Sequence, residues 1–337
     1  KLIQLNMQSM KEPMMGAGPN PEQKKLGVDA SYEQLEAAIP EVEAMKDFEQ
    51  LNDFHSLTLD QHTKRLGSNL EEDEFVKGLP KKQRELLLLA GKLHDLGKVS
   101  PEGHQVHPKD PEKRQYLGHE NESDRIIREV LPKHFELSSE DIDFVAKMAG
   151  LHASALTLMT NFAQNNEPKG KKLKSYDKFV ARAEEIPGDM ELIDKMRMIF
   201  ALNKADKGAG YNESSDMADP KVENIKKLSD EGIAALNELE KALPALLAAI
   251  QGRRGGDNTA GIAFKDGEYV YEKPEVEKKV EVPLELRKLG GVLRDKSKVV
   301  AGLYEGLRGG SVDDAADKLK KVGLSDDQVA AVLETLE

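Results

Sequence analysis

Residues 86–98 read LLLLAGKLHDLGK, and this stretch decides the expected fold. An apolar run ends in an adjacent imidazole and carboxylate, His94 and Asp95. Gly97, a residue that often ends helices, and Lys98 follow them. Burying a histidine and an aspartate beside apolar side chains is costly unless something pairs with them. A bound divalent metal ion would provide that pairing, so we expect further ligands elsewhere in the chain.

The composition excludes several classes of protein. The chain has 337 residues, enough for about two domains, and 39% of them are hydrophobic and 33% charged. A net charge of -12 disfavours general adhesion to duplex DNA or to an anionic membrane. The absence of cysteine excludes disulfides, thiolate metal sites and cysteine nucleophiles. No apolar run reaches the roughly 18 residues of a membrane span and no signal peptide is visible, so we expect a cytoplasmic protein.

The hydrophobic pattern predicts an almost entirely helical fold. Helices are expected over 31–45 with a break near Pro40, and over 54–66, 80–93, 119–132, 139–153, 175–186, 189–205 and 220–250. Residues 99–117 and 164–174 are rich in Pro, Gly, Lys and polar residues and are predicted to be loops. Asp266-Gly267 between two short apolar segments predicts a β-hairpin.

These elements divide the chain into four parts. Residues 1–30 are expected to form a flexible arm, 31–250 the main helical domain, 251–261 a linker, and 262–337 a small extension of one hairpin and short helices. Partner binding, oligomerisation and capping of the core all remain open as roles of this extension.

Further candidate ligands occur in recognisable settings. His62 lies in LDQHTKRL, and Asp206 ends the apolar stretch of ALNKADKGAG. His119 lies in YLGHENES and His152 in AGLHASAL. Imidazoles combined with one or two carboxylates suit Mn, Ni, Fe, Co or Mg.

The order His … His-Asp … Asp, with HD-LGK closing an apolar helix, resembles the HD superfamily of metal-dependent phosphohydrolases. The GHE-x-x-S segment is most similar to the HD domain of bacterial CCA-adding enzymes. The resemblance covers about residues 50–210 and implies an all-α HD bundle. It also implies one metal ion held by His62, His94, Asp95 and Asp206. In such families the positions of His119 and His152 either line the substrate phosphate or hold a second ion, which Asp95 would bridge.

The resemblance also implies an activity. A metal-activated water would hydrolyse a phosphomonoester or phosphodiester of a nucleotide or of an RNA end. Asp95, Lys98 and His119 would be catalytic. The groups expected to contact the substrate are Lys98, Arg125, His152 and Lys207, and Glu120 is expected to orient a ligand imidazole.

Other interpretations compete with this one. One is an HD-fold module that senses a nucleotide and signals through residues 262–337, and another is an interaction protein whose metal site is vestigial. Lys98 could be an ordinary surface lysine and His152 a satisfied core histidine, and packing is the expected role of His55. No P-loop and no G-x-S-x-G motif is present, which disfavours kinase and serine-hydrolase chemistry.

Overall fold

The structure is a computed structural model that describes residues 25–164, 168–211, 218–257 and 259–272, together with Asp317 and Lys320. The described helices are α1 (Tyr32–Ala38), α2 (Pro40–Glu43), α3 (Leu59–Glu72), α4 (Glu74–Gly78), α5 (Lys81–Leu93), α6 (His119–His134), α7 (Ser139–Leu151), α8 (Ser154–Gln164), α9 (Leu173–Glu184), α10 (Leu192–Gly208) and α11 (Pro220–Arg254). Two-stranded antiparallel sheets pair β1 (Gln105–His107) with β2 (Asp110–Gln115), and β3 (Gly261–Lys265) with β4 (Glu268–Glu272). The expected all-α class is confirmed.

Local chemistry sets several helix ends. Ser31 and Gln34 form a reciprocal capping box at the start of α1. Pro40 occupies the first position of α2, where its missing N–H does no harm, and so separates α1 from α2 as expected. Ser138 caps α7 by accepting a hydrogen bond from the backbone of Asp141.

Helix α5 lies at the centre of the bundle, where it packs on α3, α7 and α10. Leu87, Leu89 and Leu93 are fully buried. Burial of each such side chain contributes roughly 1.5–3 kcal/mol. The end of α5 is therefore firmly held, and the two residues that follow it, His94 and Asp95, are also fully buried.

The boundaries differ from the expectation in several places, and α9 begins at Leu173, inside the predicted loop 164–174. Helix α3 begins at Leu59 rather than at 54, and α6 continues through Pro132 to His134. The prediction of a loop over 99–117 was wrong, because this segment contains β1 and β2. None of their residues is buried, and they lack an alternating apolar pattern that would have marked them. The helix predicted to reach 153 ends at Leu151, and α8 follows it.

The second hairpin forms as predicted and packs on α11. Asp266 and Gly267 both have positive φ, 52° and 88°, as a two-residue type I′ turn requires. Ile262 is fully buried, so β3 contributes to the core. The chain separates into two compact units, Lys1–Lys273 and Pro274–Glu337. Apart from Asp317 and Lys320, the short helices expected beyond this hairpin lie outside the described residues, as do residues 1–24 of the expected arm.

Candidate metal centre and its pocket

Five helices bring six candidate ligands together at one end of the bundle. His62 lies in the first turns of α3, His119 is the first residue of α6, and Asp206 lies in the last turn of α10. His94 and His152 directly follow the last residues of α5 and α7. Asp95 lies between α5 and a 3₁₀ turn. Five of the six are buried, and Asp206 is partly exposed.

The first group contains His62, His94, Asp95 and Asp206. Nε2 of His62 lies 3.0 Å from Asp206 Oδ1 and 3.6 Å from Asp95 Oδ2. Nε2 of His94 lies 3.0 Å from Asp95 Oδ2 and 3.6 Å from Asp206 Oδ1. Four donor atoms, from α3, from α10 and from the two residues that follow α5, thus surround one point in the core.

A second group shares Asp95. Its other oxygen, Oδ1, lies 3.1 Å from His119 Nε2 and 3.8 Å from His152 Nε2. The two Nε2 atoms are 3.3 Å apart. The two oxygens of Asp95 therefore face two different pairs of histidines, which is the arrangement that a carboxylate bridging two ions requires.

The main chain orients all four imidazoles in the same way. The Nδ1 atoms contact carbonyl oxygens at 3.0 Å for His62 (Ala209), 2.8 Å for His94 (Gly91), 2.6 Å for His119 (Tyr116) and 2.5 Å for His152 (Ala149). A carbonyl can only accept, so Nδ1 carries the proton in each ring. In the neutral imidazoles the Nε2 lone pair is then available to a metal ion.

Unpartnered polar atoms indicate that these residues fit a metal ion. Nε2 of His62, Nε2 of His94 and both carboxylate oxygens of Asp95 are buried and have no partner in hydrogen-bond geometry. Buried polar atoms are rarely left unsatisfied, because their desolvation is not compensated. Nitrogen and oxygen donors in this mixture suit a borderline or hard divalent cation.

The titration behaviour of the cluster reflects its enclosed charges. Burial alone would lower the pKa of His94, but the carboxylates of Asp95 and Asp206 outweigh it and raise this pKa to about 9. Burial would raise the pKa values of both carboxyls, yet neighbouring cationic groups, among them His94, hold them well below their ordinary range. Burial lowers the pKa of His152 to about 3, and the nearby His94 and His119 act in the same direction.

The Lys98 ammonium belongs to the site rather than to the surface. It lies 2.7 Å from Asp95 Oδ2 and donates a hydrogen bond of 2.9 Å to Oε1 of Gln50. It also lies 5.3 Å from the centroid of the Tyr116 ring. The Tyr116 hydroxyl in turn donates a hydrogen bond of 2.6 Å to the backbone carbonyl of Gln50. Gln50 and Tyr116 are polar contacts that the sequence pattern did not single out, because only the folded loop brings them to Lys98.

A cavity of about 360 Å³ opens onto this cluster. Its lining includes Lys98, His119, His152, Asp206 and Lys207, among the predicted site residues. His55 also lines it, with its ring edge-on to His62 at 4.8 Å, but belongs to neither ligand group of the described residues. Arg125 does not line it. Its guanidinium is exposed and bound to Glu122 and Glu129 at 2.5 and 2.6 Å.

The backbone around the HD pair is packed too tightly for a side chain. Gly97 donates its N–H to Ser123 Oγ at 2.8 Å, and a Cβ at residue 97 would stand 2.1 Å from the carbonyl oxygen of His119. This close approach joins the turn after Asp95 to the first turn of α6. It therefore fixes His119 relative to Asp95.

Residues 53–186 match the family model of the HD domain. The chain therefore contains an HD domain, the fold of a superfamily of metal-dependent phosphohydrolases. Five of the six candidate ligands lie in the matched range, and Asp206 lies beyond it.

Two curated relatives carry the same kind of name. A bifunctional uridylyltransferase/uridylyl-removing enzyme of Ruegeria pomeroyi is 33% identical over 144 residues, which are 40% of this chain and 14% of the relative. One from Rhodopseudomonas palustris is 26% identical over 174 residues, 48% of this chain and 16% of the relative. The chain thus spans less than a fifth of the length of either. No solved structure matches, and none of the described helices has the length and apolar character needed to cross a bilayer. The similarity to CCA-adding enzymes stays a prediction.

Metal binding is expected to release a proton near neutral pH. With a pKa of about 9, His94 is protonated at pH 7 in the metal-free protein and must lose that proton to become a ligand. The apparent affinity for Mn²⁺ should rise about tenfold per pH unit from pH 7 until pH approaches 9. The raised pKa of His94 also means that its protonation stabilises the metal-free fold. This stabilisation is complete at pH values below the ordinary histidine pKa and is lost as pH rises through about 9.

Titration calorimetry in two buffers of different ionisation enthalpy measures the released proton directly. His107→Ala, on β1 and outside both ligand groups, is the matched control and should release the same proton as the unchanged protein. An affinity for Mn²⁺ independent of pH between 7 and 9 would contradict the expectation.

Proposed function

We propose that this chain hydrolyses a phosphate ester with a divalent metal ion held by His62, His94, Asp95 and Asp206. The observation that carries the proposal is the shared carboxylate of Asp95, whose two oxygens face two pairs of histidines with outward Nε2 atoms. A divalent ion at such a site supplies Lewis acidity and lowers the pKa of a coordinated water toward about 7.

The residues around the ligands supply binding and charge. The Lys98 ammonium has three donors: it donates one hydrogen bond to Gln50 and forms an ion pair with Asp95, so donor capacity remains for a phosphate oxygen at the pocket wall. Lys207 lines the same pocket, and its ammonium has no ion-pair partner among the residues that the structure describes. Both cations would oppose the negative charge that increases on the phosphoryl group during the reaction.

His119 and His152 complete the pocket side of the cluster. Their Nε2 atoms, 3.3 Å apart, would either hold a second ion together with Asp95 or line the substrate phosphate. Glu120 was expected to orient a ligand imidazole, but its carboxylate lies 3.7 Å from Nδ1 of His119, and the Tyr116 carbonyl accepts from that nitrogen at 2.6 Å instead.

The ester that we propose is that of a nucleotide, either free or at an RNA end. A cavity of about 360 Å³ is near the lower limit of the roughly 300–1,000 Å³ typical of ligand pockets, a size that favours one nucleotide unit. The names of the two relatives include removal of a uridylyl group, which is a nucleotide ester.

A panel of esters and metal ions tests the proposal. The purified chain, stripped with EDTA, should hydrolyse p-nitrophenyl phosphate or bis-p-nitrophenyl phosphate after addition of Mn²⁺, Ni²⁺, Co²⁺, Fe²⁺ or Mg²⁺. EDTA should abolish the reaction and excess metal should restore it. Tight binding of nucleoside monophosphates without turnover of any ester would instead favour the sensing module. Failure to retain any of these ions would refute both.

A further inference from the structure

Phe54 is an exposed aromatic residue at the mouth of the metal pocket. Its relative exposure is 60%, although the cavity that it lines reaches the buried ligands. Among the described residues of this pocket it is one of two large apolar side chains with high exposure, the other being Leu228 of α11 at 41%. Neither side chain contributes to the buried core.

The loop that carries Phe54 is held by hydrogen bonds rather than by burial of this ring. Oδ1 of Asn52 accepts from the backbone N–H groups of Phe54 and His55, at 2.9 and 3.0 Å, and contacts His55 Nδ1 at 3.0 Å. The N–H and the hydroxyl of Ser56 donate to the carbonyl of Gly210, at 2.9 and 3.1 Å. The ring is therefore presented by an anchored backbone, so a ligand would bind it with little further loss of backbone entropy.

The pocket has two chemically different parts. Lys98, Lys207, His119 and His152 offer positive charge or hydrogen bonds beside the metal ligands, whereas Phe54, Ile225 and Leu228 offer apolar surface. A ligand that matches both parts carries a phosphate at one end and a flat apolar group at the other. An alkyl phosphate would leave the ring of Phe54 exposed to water, but a nucleobase has a π-face that stacks on an aromatic ring.

We infer that Phe54, with Leu228 beside it in the pocket lining, binds the base of a nucleoside monophosphate whose phosphate lies at the metal centre. The inference rests on the proposed function for the position of the phosphate. It adds a specificity-determining residue: Phe54 selects substrates by the group attached to the phosphate and takes no part in the chemistry.

The test compares two substrates across variants of residue 54. Uridine and adenosine 5′-monophosphate provide a base, and glycerol 2-phosphate provides a phosphomonoester without one. In Phe54→Ala, the ratio of kcat/KM for the nucleotides to that for glycerol 2-phosphate should fall about tenfold, mainly through KM. The same ratio should fall similarly in Phe54→Leu, which keeps an apolar side chain without a ring. Phe54→Trp should restore the preference for nucleotides.

The matched control is Phe264→Ala, which removes an exposed aromatic ring from the hairpin outside this pocket and should leave the ratio unchanged. An equal loss on both kinds of substrate would show that Phe54 only maintains the loop and would overturn the inference. An unchanged ratio in Phe54→Ala would overturn it as well.

A binding measurement separates this inference from the proposed function. Calorimetry of a non-hydrolysable phosphonate analogue of uridine 5′-monophosphate with the Mn²⁺-loaded protein should give about tenfold weaker binding for Phe54→Ala than for the unchanged chain. If no ester is hydrolysed but this difference is found, the hydrolase proposal fails and the base site stands. If hydrolysis occurs without the difference, the base site fails alone.

Discussion

Asp95→Asn is expected to reduce phosphate-ester hydrolysis by about a thousandfold or more, the equivalent of about 4 kcal/mol of transition-state stabilisation. The amide has nearly the same shape as the carboxylate but lacks the charge that Oδ2 presents to His62 and His94 and that Oδ1 presents to His119. It also leaves the Lys98 ammonium without its 2.7 Å partner. The rate should be measured with saturating Mn²⁺ on p-nitrophenyl phosphate.

Binding and folding measurements separate a lost site from a lost fold. An ion that binds only the folded chain at 100 times its dissociation constant stabilises the fold by about 2.7 kcal/mol. The unchanged protein should therefore melt at a higher temperature with Mn²⁺, and Asp95→Asn should lose that increase while keeping its helical circular dichroism. The matched control is Asp230→Asn, an exposed carboxylate that pairs with Lys226 and should leave rate and metal binding unchanged. Wild-type Mn²⁺ binding and rate in Asp95→Asn would contradict the assignment.

Gly97→Ala is expected to destabilise the protein by about 3 kcal/mol and to reduce activity with it. The added methyl group would stand 2.1 Å from the backbone oxygen of His119 and 2.8 Å from the backbone nitrogen of Ser123. Neither atom can move without shifting α6, because both belong to its main chain. Relief of the clash would carry His119 away from Asp95. Urea unfolding monitored by circular dichroism gives the stability change.

Gly67→Ala provides the matched control for this substitution. Residue 67 lies inside α3, and a Cβ there would meet no atom within 4 Å. Alanine favours a helix over glycine by about 0.5–1 kcal/mol, so this variant should be slightly more stable than the unchanged chain. Equal stability of the two variants would contradict the steric explanation for Gly97.

The residues of the candidate site were accessible to sequence reasoning because their signals are local. His94 and Asp95 follow an apolar helix, and His62, His119 and Asp206 each lie in a short segment with its own pattern. The fold brings all of them together. Arg125 was proposed from its helical spacing after His119, but position along a helix does not reveal that Glu122 and Glu129 bind its guanidinium. The catalytic and substrate-binding roles stay predictions.

The parts of the fold that the sequence did not reveal depend on tertiary contacts. β1 and β2 have too few apolar residues to show a period of two, and their pairing is what makes them strands. The break between α7 and α8 falls at His152-Ala153, whereas the nearby glycine, Gly150, lies inside α7 and so does not mark it. Gln50 meets Lys98 only because the loop after α2 returns to the bundle.

Main-chain oxygens, rather than carboxylate side chains, hold the inner nitrogens of all four imidazoles. Residues 149 and 209 are fully buried alanines. The side chains that these two positions can accept are thus limited by volume and not by hydrogen-bonding capacity. Ring orientation survives any substitution there that leaves the backbone in place. Homologous chains can therefore change those neighbours freely in chemistry, provided that the new side chain is small, and still present the same outward nitrogens.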